Sequence, residues 1–219
     1  MGKIPADQSI DMRGKTITTY ILFHAAKKLD RMATGEVLEI STDKFEAIEN
    51  DIGSWCRMTG HTLVTSETGD HFQRFYIKKS DAKKTGGKFA IIISDPGLED
   101  LLTPLGLALG AALKGDEVHL IFQGPAVRVL KKGFRGDLKG IWKPFSVFAR
   151  KGMAKTGHLP PQEKLSQLKE LGARIYMCGP SMQHFGVKKQ ELIYDDVVIG
   201  EYMTFIEVMS RADMRFFLQ

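Results

Sequence analysis

Cys178 ends the apolar run Ala173-Arg174-Ile175-Tyr176-Met177 and is followed at once by Gly179-Pro180-Ser181. This pattern predicts a strand that stops at the thiol, turns and opens a helix, because proline suits a first helical position, where its missing N–H would be an orphan anyway. A sulfur placed there faces unpaired backbone N–H groups and the positive end of a helix dipole, and both favour thiolate over thiol. Thiolate is the form that accepts and hands on sulfur. Cys178 is therefore the candidate sulfur-carrying residue, with Gly179, Pro180 and Ser181 as the helix start. The competing reading is a small buried hydrophobe, since free cysteine is among the most buried residue types.

The remaining chemistry-bearing residues are weaker in pattern. Cys56 lies within a predicted helix where Ile48, Ile52, Trp55, Cys56 and Thr59 recur at core-facing spacing, so packing is its expected role. His184 and His158 are candidate partners of the Cys178 thiolate. His184 follows it by six residues, a spacing that does not return to one face of a regular helix, and an exposed helix position is its other reading. His158 sits in the loop Gly157-His158-Leu159-Pro160-Pro161, just before the helix that leads to the Cys178 strand. His119, inside an apolar strand, reads as a core residue. No pair has His-Glu-x-x-His spacing and no Gly-x-Gly-x-x-Gly or Walker A pattern occurs, so no metal and no cofactor is expected.

The elements that must position these residues divide into two modules. Residues 80–87, Ser-Asp-Ala-Lys-Lys-Thr-Gly-Gly, are polar and Gly-ended and read as a linker between a domain of residues 1–79 and one of residues 88–219. Upstream, predicted strands at 9–12 and 37–42, helices at 17–32 and 44–59, and two alternating segments at 61–67 and 71–78 give a β-α-β-α-β-β two-layer sandwich. Downstream, continuous apolar runs at 89–93 and 118–122 suit parallel strands covered on both faces. With further strands at 173–178, 197–199 and 214–218 and helices between, they predict an α/β, doubly wound parallel sheet, a fold that reacts at the carboxyl ends of its strands.

Composition sets the limits. In 219 residues, 43% hydrophobic and 26% charged, two cysteines make no disulfide framework, and no secretory pattern opens the sequence; a cytoplasmic protein with reduced thiols is expected. The longest apolar stretch, residues 101–113, falls short of the roughly 20 residues of a membrane span and predicts a buried helix. Its Gly106-x-x-x-Gly110 spacing reads as close packing against the sheet. The formal charge of +5 is concentrated in residues 131–155, where eight lysines and arginines face the single acid Asp137 and alternate with Phe134, Trp142, Phe145 and Phe148. Three readings stand for that segment: a nucleic-acid surface, an insertion whose rings pack on the sheet or on a second subunit, or a lid or landing site for an acidic sulfur carrier. With one basic segment and no RNA-binding motif, nucleic acid is not the expected partner.

Residues 8–79 resemble the TusA/SirA sulfur-carrier family, on Asp11-Met12-Arg13-Gly14, on Gly35-Glu36-Val37-Leu38-Glu39-Ile40 with Thr42-Asp43, and on Trp55-Cys56-Arg57 with Gly60-His61 and Leu63. In that family the cysteine of an Arg-Gly-x-x-Cys-Pro-x-Pro motif takes up persulfide sulfur at the start of the first helix. The corresponding stretch here, Arg13 to Tyr20, has Ile17 in place of the nucleophile and neither proline. The resemblance thus implies the fold without its chemistry, as a docking surface for true carriers or a structural appendage.

Residues 88–219 resemble the DsrE/DsrF-like family, on Pro160-Pro161-Gln162, on Leu171-Gly172 through Cys178, and on Ser181, Gly186-Val187, Leu192-Ile193 and Val198-Ile199-Gly200. That resemblance implies that Cys178 carries sulfur and that subunits assemble as trimers, tetramers or hexamers. No second cysteine lies in residues 123–177, so the thiol has no resolving partner within its module. The expected function is an intracellular sulfur carrier that holds sulfane sulfur as a persulfide on Cys178 and gives it to another sulfur-carrier protein or a small thiol. The rival is a non-catalytic scaffold for sulfur-metabolism partners.

Overall fold

The computed structural model describes residues 5–81 and 86–218, and the predicted linker at 80–87 lies partly outside the described residues. The described residues form two compact units, one of residues 5–81 with 152–158, the other of residues 86–151 with 159–218.

The first unit runs β1 (Gln8–Asp11), α1 (Thr18–Asp30), β2 (Val37–Asp43), α2 (Glu46–Thr59), β3 (Thr62–Thr68) and β4 (Phe72–Lys78). Its sheet has the order β1-β2-β4-β3, parallel between β1 and β2 and antiparallel elsewhere. Along β2 the side chains of Leu38, Ile40 and Thr42 are buried and their neighbours are not, the alternation of a strand with one covered face. The cover comes from Ile21, Leu22, Ala25 and Leu29 of α1 and Ile48, Ile52, Trp55 and Cys56 of α2. Each large apolar side chain buried in that layer stabilises the unit by about 1.5–3 kcal/mol. The result is the expected β-α-β-α-β-β two-layer sandwich.

The second unit is an all-parallel sheet of order β8-β7-β6-β5-β9, built from β5 (Lys88–Ile93), β6 (Glu117–Phe122), β7 (Arg174–Cys178), β8 (Val198–Gly200) and β9 (Met214–Leu218). Its central strands are buried almost throughout, as β-branched and aromatic runs covered on both faces must be. The helix α3 (Leu98–Lys114) packs on β5 and β6 and against α5 (Pro161–Glu170). Strand β7 leads into α6 (Gly179–His184), and α7 (Tyr202–Ser210) lies between β8 and β9 in sequence. Between β6 and α5 come a buried 3-10 segment, Gly124–Leu130, a second, exposed one, Gly140–Phe145, and α4 (Ser146–Lys155).

Two expectations about this unit need correction. A Cβ built at Gly106 or Gly110 meets nothing within 4 Å, so these glycines are not close-packing points against the sheet. The buried stripe of α3 is made instead by Leu101, Leu105, Ala108, Leu109 and Ala112. Three rings of the basic segment do not pack on the sheet either, since Trp142 is 62%, Phe145 54% and Phe148 74% exposed; Phe134 is half-buried.

Candidate functional site at the end of strand β7

Strand β7 closes on Cys178, whose extended backbone (φ −68°, ψ 116°) makes it the N-cap of α6, with Pro180 in the first turn. The parallel register sets Tyr176 beside Ile121 of β6 and Cys178 beside Gly200 of β8. Alternation then places Tyr176 and Cys178 on one face of the sheet, where Ile92, Ile121 and Phe205, Val208 and Met209 of α7 pack with them. The thiol is 8% exposed. Gly200 is needed where the cover is tightest, because a Cβ there would stand 2.7 Å from Thr204 Oγ1 and 2.8 Å from Thr204 Cβ. The first turn of α7 therefore closes down on β8 directly beside the strand end that carries the sulfur.

Ser181 holds α6 in place: its Oγ accepts the Gly124 N–H at 3.0 Å, linking α6 to the 3-10 segment after β6. Gly124 sits at φ +53°, the left-handed region in which a glycine is at no cost. α6 is six residues long, so what it offers Cys178 is the free amides of its first turn rather than the dipole of a long helix. On the same sheet face, Tyr176 is fixed through its hydroxyl, 3.0 Å from His119 Nδ1, while His119 Nε2 lies 3.2 Å from Glu117 Oε1. Burial lowers the His119 pKa below the ordinary histidine value against the opposing pull of Glu117. His119 is the buried, ring-bonded residue its strand position implies.

The structure brings Cys178, Gly179, Pro180 and Ser181 together at one strand-to-helix junction. It leaves His184 at the last position of α6, about 9 Å of helix away, exposed and edge-on to Phe185 with ring centroids 4.8 Å apart. His158 groups with the first unit, where its N–H donates to the Met153 carbonyl at 2.9 Å. Sequence reasoning did not find Phe205 in the cluster that buries Cys178, nor the close approach of Gly200 to Thr204 beside it. The one signal was a glycine immediately before a helix in the strand next to β7.

In the first unit Ile17 is the N-cap of α1, the place where a nucleophile would face free amides. Just ahead of the helix the Thr156 carbonyl accepts the N–H of Thr16 at 2.9 Å and of Ile17 at 3.3 Å, which places a carbonyl oxygen at this position. Cys56 is buried in α2, and burial pushes its thiol pKa up to about 11 despite the opposing charge of Arg57. It is protonated and unreactive at neutral pH. In the basic segment, Lys139 is clasped by Asp95 at 2.7 Å and Asp100 at 2.8 Å, and Arg150 by Asp137 at 3.0 Å, so those cations are not free for phosphate groups.

A family model described as the DsrE/DsrF-like family matches residues 87–216, more than half of the chain and all of the strand-to-helix junction at Cys178. The chain belongs to the DsrE/DsrF-like family. A second model, described as sulfurtransferase TusA, matches residues 20–79. That match begins after Ile17, so it covers the first unit from α1 to β4 and leaves out β1 and the position at which the nucleophile is missing. The protein is thus a fusion of two domains from sulfur-relay families, which work through sulfur-transfer partners. Among the described residues no helix is long and apolar enough to cross a membrane, and no group of three or more His, Cys, Asp or Glu side chains is placed to hold a metal ion.

Proposed function

We propose that Cys178 holds sulfane sulfur as a persulfide and passes it to a thiol of another sulfur carrier or of a small molecule. The observation that carries this reading is the position of the thiol, capping α6 at the carboxyl end of a buried parallel strand in a DsrE/DsrF-like domain. In loading, the Cys178 thiolate attacks the outer sulfur of a donor persulfide and the donor leaves as a thiolate. In delivery, the acceptor thiolate attacks the outer sulfur of the Cys178 persulfide, the sulfur–sulfur bond breaks, and Cys178 departs as thiolate. Neither step needs an external oxidant. Because Cys178 is buried in one cluster with Phe205, Val208 and Met209 of α7, both steps call for α7 to move aside.

Several finer points belong to the same reading. The two domains run over residues 1–79 and 88–219 and are joined by residues 80–87, with residues 152–158 of the second packing in the first unit, and the working compartment is the cytoplasm, where thiols stay reduced. The domain of residues 1–79 serves as a docking surface for carrier proteins. His184, at the far end of α6 from Cys178, is dispensable for transfer. Homo-oligomerisation is supported by the outer face of α7, where Tyr202, Met203 and Ile206 are all exposed.

Incubation with a low-molecular-weight persulfide followed by intact-mass measurement should show one added sulfur atom in the wild type and none in Cys178→Ser. Unmodified wild-type protein would overturn the proposal. A second reading, the non-catalytic scaffold, is favoured by the apolar burial of Cys178. It expects Cys178 to resist alkylation under native conditions to the same extent as Cys56.

A further inference from the structure

The 3-10 segment after β6, the turn that follows it and the residues just after α6 line a cavity of about 360 Å³. Three cations line it, Arg128, Lys131 and Lys132, together with the rings of Phe134 and Phe185 and with Gly133 and Val187; no acid is among them. The lining is also built rather than incidental. The Arg128 guanidinium lies over the Phe185 ring, 4.7 Å from its centroid, which fixes its orientation. Lys131 Nζ is held 3.2 Å from Glu191 Oε1, and the Lys131 backbone bridges to Leu192. The Phe134 N–H donates to the Lys131 carbonyl at 3.1 Å, closing a turn in which Gly133 takes φ +80°, a value that suits glycine.

The charge balance points to an anion. Glu191 answers Lys131, while among the described residues neither Arg128 nor Lys132 has a carboxylate partner; the Lys132 ammonium donates to the Gln190 carbonyl at 3.2 Å. Size and rings point to more than a bare ion. The cavity is at the lower end of the roughly 300–1,000 Å³ range of small-molecule sites, and a bare oxyanion would leave most of it, rings included, to water. We infer that this cavity binds a small organic phosphate, the phosphoryl group on Arg128 and Lys132 and a flat apolar part against Phe134 and Phe185. Arginine and lysine suit the phosphoryl group by fork geometry and point charge respectively. The site is independent of sulfur carriage, because Cys178 caps one end of α6 and Phe185 follows the other.

Calorimetric titration of the full chain with AMP, adenosine and inorganic phosphate tests this. AMP should bind at least about tenfold more tightly than either of the other two, and more weakly as salt is raised. Arg128→Gln and Lys132→Gln, both at exposed side chains, should each weaken AMP binding about tenfold, and Cys178→Ser should bind as the wild type does. Absence of saturable AMP binding, equal affinity for AMP and inorganic phosphate, or unchanged binding by both glutamine variants would overturn the inference.

Discussion

Three positions in this chain are candidates for a working thiol, and each has a different fate. Cys56 is packed and protonated, Cys178 caps a helix at a strand end, and Ile17 occupies the helix cap where the TusA-like fold would carry its sulfur. The Thr156 carbonyl makes the third case more than a missing atom, since its oxygen is bonded to the N–H groups of Thr16 and Ile17 and would repel an anion formed there. Ile17→Cys should therefore not regain sulfur uptake. In the Cys178→Ser background, intact mass after persulfide treatment is expected to show no addition on Ile17→Cys; a stoichiometric sulfur adduct would contradict this account.

At the scale of elements, the proposed reading makes the contact between β8 and α7 govern access to the sulfur. A methyl group at Gly200 must push against Thr204 Cβ at 2.8 Å, so Gly200→Ala should lift the first turn of α7. Overpacking of this kind costs about 1–3 kcal/mol, seen as a lowered unfolding midpoint, and Cys178 should at the same time alkylate faster than in the wild type. Slower or unchanged alkylation would show that α7 is not the barrier. The strands and helices themselves were legible from sequence because their signals are local: the unbroken apolar runs of β5 and β6, the alternation of β2, and the Gly-Pro step after Cys178. The cover over Cys178 was not legible, because it arises when β7, β8 and α7 meet, and the periodicity of each element says nothing of that meeting. Gly106 and Gly110 mislead for a related reason. A small-residue spacing marks room for a neighbour without showing that one arrives, and α3 turns a different stripe to the sheet.

For the whole molecule, the exposed apolar side chains of α7 bear on how many copies of the chain associate. Sedimentation should give a mass that is a multiple of 24.5 kDa, and the double substitution Met203→Lys with Ile206→Lys should reduce it to one chain. A wild type that sediments as a monomer at every concentration would remove the subunit contact from the proposal. On the proposed reading α7 has two jobs: Phe205 is buried in the same cluster as Cys178, and the exposed Met203 and Ile206 would meet a second chain. A single nine-residue helix cannot answer these demands independently. If both proposals hold, whatever favours one placement of it shifts the other equilibrium by the same free energy, and assembly and sulfur occupancy would be reciprocally coupled. Sulfur uptake per chain should then vary with protein concentration, and loading with sulfur should shift the subunit equilibrium in return.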